Sequence, residues 1–138
     1  MKMIAIRLKY GQDLKNEIEN IAKENNISSG YIATCVGSLT TVSLRMAGAE
    51  PEKQDLRIIK GKYEIVSLVG TISPDGSHLH LAVSDSNGST IGGHLKSGSI
   101  IDTTAEIVIG YSDDVNFQRI IDKDTGFKEL IIINKQKT

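Results

Sequence analysis

Tryptophan is absent from this chain, phenylalanine occurs twice and tyrosine four times. So few flat side chains leave no stacking platform of the kind on which single-stranded nucleic acid is laid. Basic residues are not in excess either. The 16 Lys and Arg stand against 17 Asp and Glu, giving a net charge of -1 and a sequence pI of about 6.3. Proteins that grip duplex phosphates usually carry a basic excess, so strong nucleic-acid binding is not expected. A lone cysteine, Cys35, excludes an intrachain disulfide and points to a reducing compartment. No run approaches the roughly 18 apolar residues of a membrane helix. The opening MKMIAIRLKYGQ is too short an apolar stretch, and too interrupted by charge, for a secretory leader. The expected location is the cytoplasm, with no membrane partner.

What is present is ordinary for a soluble globular protein: 39% hydrophobic and 24% charged residues over a length of 138. That length suffices for one domain with a real core. No internal repeat, low-complexity tract or linker divides it, so residues 1–138 read as a single domain. Residues 3–10 alternate, with Ile4, Ile6, Leu8 and Tyr10 on one side and Arg7 and Lys9 on the other, as in a half-buried strand. Asp13 then caps a helix over about 13–25, with Leu14, Ile18, Ile21 and Ala22 on its apolar stripe and Lys15, Glu19 and Lys23 opposite. Everything else reads as strands: 31–39, 41–48, 62–73, 77–85, 89–95, 100–111, 115–122 and 127–133. Residues 49–60, charged and holding Pro51, read as a surface loop. One helix among about eight strands is the pattern of an α+β fold, with a largely antiparallel sheet or two packed sheets and the helix on one side.

All three histidines lie within HLHLAVSDSNGSTIGGHL, residues 78–95. Side chains alternate along a strand, so His78 and His80 share a face about 7 Å apart, while Leu79 and Leu81 face the core. His94 must arrive from the next strand, and register decides whether it does. A two-residue Asn87-Gly88 turn pairs His80 with Leu95 and leaves His94 on the wrong face. A three-residue Ser86-Asn87-Gly88 loop, with Gly88 left-handed in a bulge, pairs His80 with His94. Gly92-Gly93 adds either a second bulge or open space beside the cluster. In the second register three imidazoles converge on one divalent transition metal, zinc first, with an open coordination position as in catalytic zinc sites. Nickel, copper, cobalt and iron suit the same ligands. Ser84 and Asp85 read as hairpin residues; the alternative for Asp85 is to orient a ligand histidine.

The remaining candidates are weaker. Cys35, in an apolar strand, reads as an inert thiol. Ser38, Thr40 and Thr41 have no activating histidine nearby, and GSTIGG fits no phosphate-binding glycine pattern. Arg45, Glu64 and Glu106 sit among apolar residues in strands, where an unpaired charge is costly. They are the physical candidates for catalytic roles; the alternative is solvent exposure or structural pairing.

The blocks YEIVSLVGTIS, HLHLAVSDSNGSTIGGHL, TAEIVIG and FQRIIDKDTGFKEL, together with the early RLKYGQDL, resemble the PPC (plants and prokaryotes conserved) domain over nearly the whole chain. The resemblance implies a compact α+β domain that assembles as a homotrimer. In plants this domain follows an AT-hook in nuclear DNA-binding proteins, but the Arg-Gly-Arg-Pro core of that element is missing here. The H-L-H…G-G-H-L arrangement is also similar to the zinc-ligand motif of acetolactate decarboxylases. Of that motif only His78, His80, His94 and the Gly92-Gly93 pair transfer. The reading is a PPC-like homotrimer whose three-His site serves a small ligand, such as a carboxylate, or a partner. A metal-dependent lyase or hydrolase acting on a small carbonyl or carboxylate substrate is the first alternative, and a DNA-binding, transcription-associated trimer the second.

Overall fold

In the computed structural model, which describes residues 1–136, the N-terminal alternation becomes strand β1 (Lys2–Lys9). Leu8 is buried and Ile4 and Ile6 pack against the core, whereas Tyr10, just past the strand, is exposed. Helix α1 (Leu14–Glu24) follows. Asp13 caps it, Oδ1 accepting from the Asn16 amide at 3.0 Å, while Oδ2 accepts from the Gly98 amide at 2.7 Å. Leu14, Ile18 and Ala22 are buried, as their helical spacing requires.

The strands are β2 (Gly30–Arg45), β3 (Leu56–Ser73), β4 (Gly76–Ser84), β5 (Thr90–Leu95), β6 (Ile100–Tyr111), β7 (Val115–Ile121) and β8 (Lys128–Asn134). Two expectations change. Residues 31–39 and 41–48 are not separate strands but one, β2, with a bulge between Leu39 and Thr41. The expected loop over 49–60 is shorter, because Leu56–Lys60 already belong to β3 and pair with Thr41–Arg45. That pairing supplies the ladder hydrogen bonds, so a segment whose Leu56 and Ile58 stay exposed is nonetheless a strand. No helix among the described residues is long and apolar enough to cross a membrane.

The fold is α+β. Its main sheet is antiparallel throughout, in the order β1-β6-β2-β3-β4-β5, and β5 returns to pair with the far end of β2 through Leu44–Leu95 and Arg45–His94. Strands β2, β3, β4 and β5 thus form a closed ring, leaving no free edge there. Inside it lie Leu44, Leu79, Leu81, Val83 and Leu95, all at most 2% exposed. They belong to the same core cluster as the buried stripe of α1. Strands β7 and β8 form a separate hairpin, tied to the main sheet where the Arg119 amide donates to Asp75 Oδ2 at 2.8 Å.

Glu19, expected on the polar side of α1, is half-buried. Its Oε1 accepts from the Ser77 amide at 3.0 Å and the Ser77 hydroxyl at 2.7 Å, and from the Lys15 ammonium. Burial pushes its carboxyl upward, but the Lys15 and Ser77 hydrogen bonds outweigh that and hold it below the usual range. The helix is thereby fastened to β4 one residue before His78.

Candidate metal centre

The β4–β5 hairpin takes the three-residue register. His80 pairs with His94, Leu81 with Gly93 and Ser84 with Thr90, without a break. Two features select this register. Gly88 adopts φ +78°, a left-handed conformation that favours glycine. Asp85 Oδ1 accepts from the amides of Asn87 at 2.9 Å and Ser89 at 3.0 Å, closing the loop. Asp85 therefore shapes the turn instead of orienting an imidazole; it lies just past the end of β4, five residues from His80 and about 16 Å away at strand rise. Gly92-Gly93 makes no second bulge, since the ladder runs through it. It supplies open space, because both glycines line a groove with His80 and His94. A β-carbon at Gly93 would also stand 2.7 Å from the Arg45 carbonyl oxygen, so glycine lets β5 approach β2.

His78, His80 and His94 converge. Their ring centroids are 5.1 to 5.7 Å apart, and one nitrogen from each lies within 4.8 Å of the others. Three open grooves of about 350, 330 and 310 Å³ meet at the cluster, each lined by a different pair of the histidines. His94 is pushed down to about 3, chiefly by burial and then by the Arg45 guanidinium and the neighbouring imidazoles. His78 is also lowered, by burial, Arg119 and His80, with Glu129 opposing. Neutral imidazole is the form that ligates metal. His94 Nδ1 is buried and has no hydrogen-bond partner among the described residues, which ordinarily costs free energy unless something else satisfies it. The donor set fits a transition metal.

The catalytic candidates divide. Arg45 is at the centre: it is the cross-strand partner of His94, lines two of the grooves and stacks its guanidinium 5.2 Å from the Phe127 ring centroid. Glu64 and Glu106 are exposed and line a different groove with Ser38 and Thr103. The cost of burying a charge does not apply to them, and they do not face the imidazoles. Cys35 is pushed up to about 12 by burial, as an inert thiol should be.

Two groups at the centre escaped the sequence reading. Arg119 on β7 and Glu129 on β8 both line the two grooves that contain His78. Arg119 Nη2 donates to Thr71 Oγ1 at 2.9 Å, and Thr71 pairs with His78 across the strands. The sequence signal for Arg119 was a single charge in the run VNFQRII, the type of signal that also selected the misplaced Glu64.

The model of the Plants and Prokaryotes Conserved (PCC) domain matches residues 1–113. The bifunctional protein GlmU of Synechococcus sp. (strain JA-2-3B'a(2-13)) is 42% identical over 132 residues, covering 96% of this chain and 20% of that protein. The chain thus spans about a fifth of the length of that relative. Among solved structures, a hypothetical protein from Salmonella cholerae-suis is 38% identical, with a TM-score of 0.91 over 98% of this chain and 95% of that one. A metal-containing protein from Archaeoglobus fulgidus is 25% identical, with a TM-score of 0.81 over 95% of this chain and 94% of that one. A Staphylococcus aureus protein of unknown function, similar to alpha-acetolactate decarboxylase, shares the fold at 18% identity and a TM-score of 0.54, over 82% of this chain and 54% of that one.

Proposed function

The chain belongs to the Plants and Prokaryotes Conserved domain family, and from that premise we propose that His78, His80 and His94 hold one divalent transition metal, zinc first, whose open position serves a small ligand. The observation that carries this reading is the convergence of three imidazole nitrogens within 4.8 Å. The family likeness to a metal-containing protein supports it. A bound ion of this type supplies a Lewis acid for a ligand oxygen. The chain's own residues do the rest: Leu79 and Leu81 anchor β4 in the core, the Gly88 turn sets the register, and burial favours the neutral form of His78 and His94.

Elemental analysis of untagged protein after metal loading and desalting is expected to find about one ion per chain, and close to none in the His78→Ala/His80→Ala protein. Equal retention by both defeats the site. A second reading, a metal-dependent lyase or hydrolase, draws on Glu129, a carboxylate lining two of the grooves. The DNA-binding reading finds no support in a net charge of -1.

The homotrimer is proposed on the family resemblance. Exposed apolar side chains on neighbouring strands, Val36 on β2 and Val66 and Val69 on β3, are each 55% exposed and suit a covered face. Light scattering at micromolar concentration should give three times the 15.0 kDa chain mass; a stable monomer overturns this.

A further inference from the structure

Charged side chains surround the three imidazoles. Arg45 and Arg119 flank them on two sides, and among the described residues neither forms an ion pair. Arg119 Nε is buried without a hydrogen-bond partner. Both guanidiniums, with Lys128, line the groove of about 330 Å³ between His78 and His94, where Glu129 is the only carboxylate. Neither is adrift in solvent: Arg45 lies on the Phe127 ring and Arg119 is held by Thr71. Two half-buried guanidiniums and Lys128 against the single Glu129 carboxylate leave an excess of positive charge, which is costly to desolvate, and a divalent ion on the imidazoles would raise the local positive charge further.

We infer that the β7–β8 hairpin makes this centre a receptor for a small dianion, whose negatively charged groups Arg119 and Arg45 hold beside the metal. This rests on the metal reading above and names the ligand that the reading leaves open. A guanidinium fork matches carboxylate and phosphate oxygens two at a time, and two such forks plus a metal leave excess positive charge against a monoanion. The groove volume admits a dicarboxylate or a small phosphate ester. Arg119, Phe127 and Glu129 all lie beyond residue 113, where the family match ends. With Arg45 on β2, they line the groove that sets the ligand class. The guanidiniums repel the metal, the dianion attracts both, and so metal and dianion raise each other's affinity by the same factor.

The test is calorimetric titration of the full chain with succinate, inorganic phosphate and, as a monoanion, acetate, with and without Zn²⁺. Succinate or phosphate is expected to bind the loaded protein at least about tenfold more tightly than acetate, and more tightly than the metal-free protein. Arg119→Met should weaken that binding by about tenfold to a hundredfold, the range of one or two charge-assisted hydrogen bonds, while retaining metal. Arg45→Met should do the same; it gives up the Phe127 stack but keeps the Arg119–Thr71 bond, and an unchanged melting temperature in each variant separates lost recognition from a loosened hairpin. Preference between succinate and phosphate assigns the ligand to dicarboxylates or to phosphate esters. Dianion binding no tighter than acetate, or unchanged in both variants with metal retained, overturns the inference and leaves the metal centre standing. Failure of the wild-type chain to retain metal overturns the metal reading and this one with it.

Discussion

Substituting His94 by alanine is expected to weaken divalent-metal binding by more than about a hundredfold, because loss of a ligand should exceed the 10–100-fold cost typical of losing an outer hydrogen-bond partner. The metal-free variant should remain folded at neutral pH, within about 1 kcal/mol of wild type. His94 points away from the core that Leu79, Leu81 and Leu95 fill, and its Nδ1 contributes no hydrogen bond to lose. The same substitution should change the response to acid. In the folded chain His94 titrates at about 3, below the value of about 6.5 expected when unfolded. As pH falls below about 6.5 the unfolded chain takes up this proton first, so wild-type stability declines until pH passes the folded value. The variant lacks that penalty. Its stability relative to metal-free wild type should therefore improve between pH 6.5 and 4, read by urea denaturation in chelator. Undiminished zinc affinity removes His94 from the centre, and an unchanged stability difference across that range removes its resistance to protonation.

The histidine cluster was legible because every step to it is local. The alternation of HLHL puts Leu79 inside and two imidazoles outside, and the choice between registers turns on a few residues around Gly88. What lay outside local reach was the closure of β5 onto β2. That contact joins Arg45 to His94 across 49 positions of sequence, so the burial argument that picked Arg45 picked Glu64 and Glu106 equally. Their strands do place them among apolar residues, but alternation turns them outward, and nothing in their neighbourhood says which charges face a site. For the hairpin bearing Arg119 and Glu129 the sequence predicts two strands over 115–122 and 127–133, close to the observed Val115–Ile121 and Lys128–Asn134. Where that hairpin docks depends on tertiary contacts such as Arg119 with Asp75 and Thr71, which carry no periodic signal. The early start of β3 was missed for the same reason, since Leu56–Lys60 become a strand only by pairing with the end of β2.

A glycine that offers no ligand atom should matter to the centre as much as a histidine. Gly70 on β3 pairs with Leu79, the residue between His78 and His80, and adopts φ +144°. A β-carbon there would stand 1.9 Å from the His78 carbonyl oxygen and 2.9 Å from Leu79 Cα. Those are backbone atoms in a strand fastened on its other side by Glu19, so β4 cannot yield without moving His78. Gly70→Ala is expected to cost about 3 kcal/mol or more, combining steric displacement with a backbone conformation unfavourable to alanine, and to lower the melting temperature by roughly 10 °C. Metal binding should weaken with it, because displacing β4 spreads the three nitrogens. Gly88→Ala is the control. Its φ of +78° is also unfavourable to alanine, but nothing lies within 4 Å of the added carbon. It should cost only about 1–2 kcal/mol of backbone strain and leave metal stoichiometry intact if the register holds. A Gly70→Ala protein that melts with wild type and retains its metal would show that β3 and β4 have slack at this point, and that the spacing of His78 and His80 is set elsewhere. An isolated glycine in a strand-like run such as LVGTIS is the sequence mark of such a close approach, and here the approaching backbone belongs to the first of the three histidines.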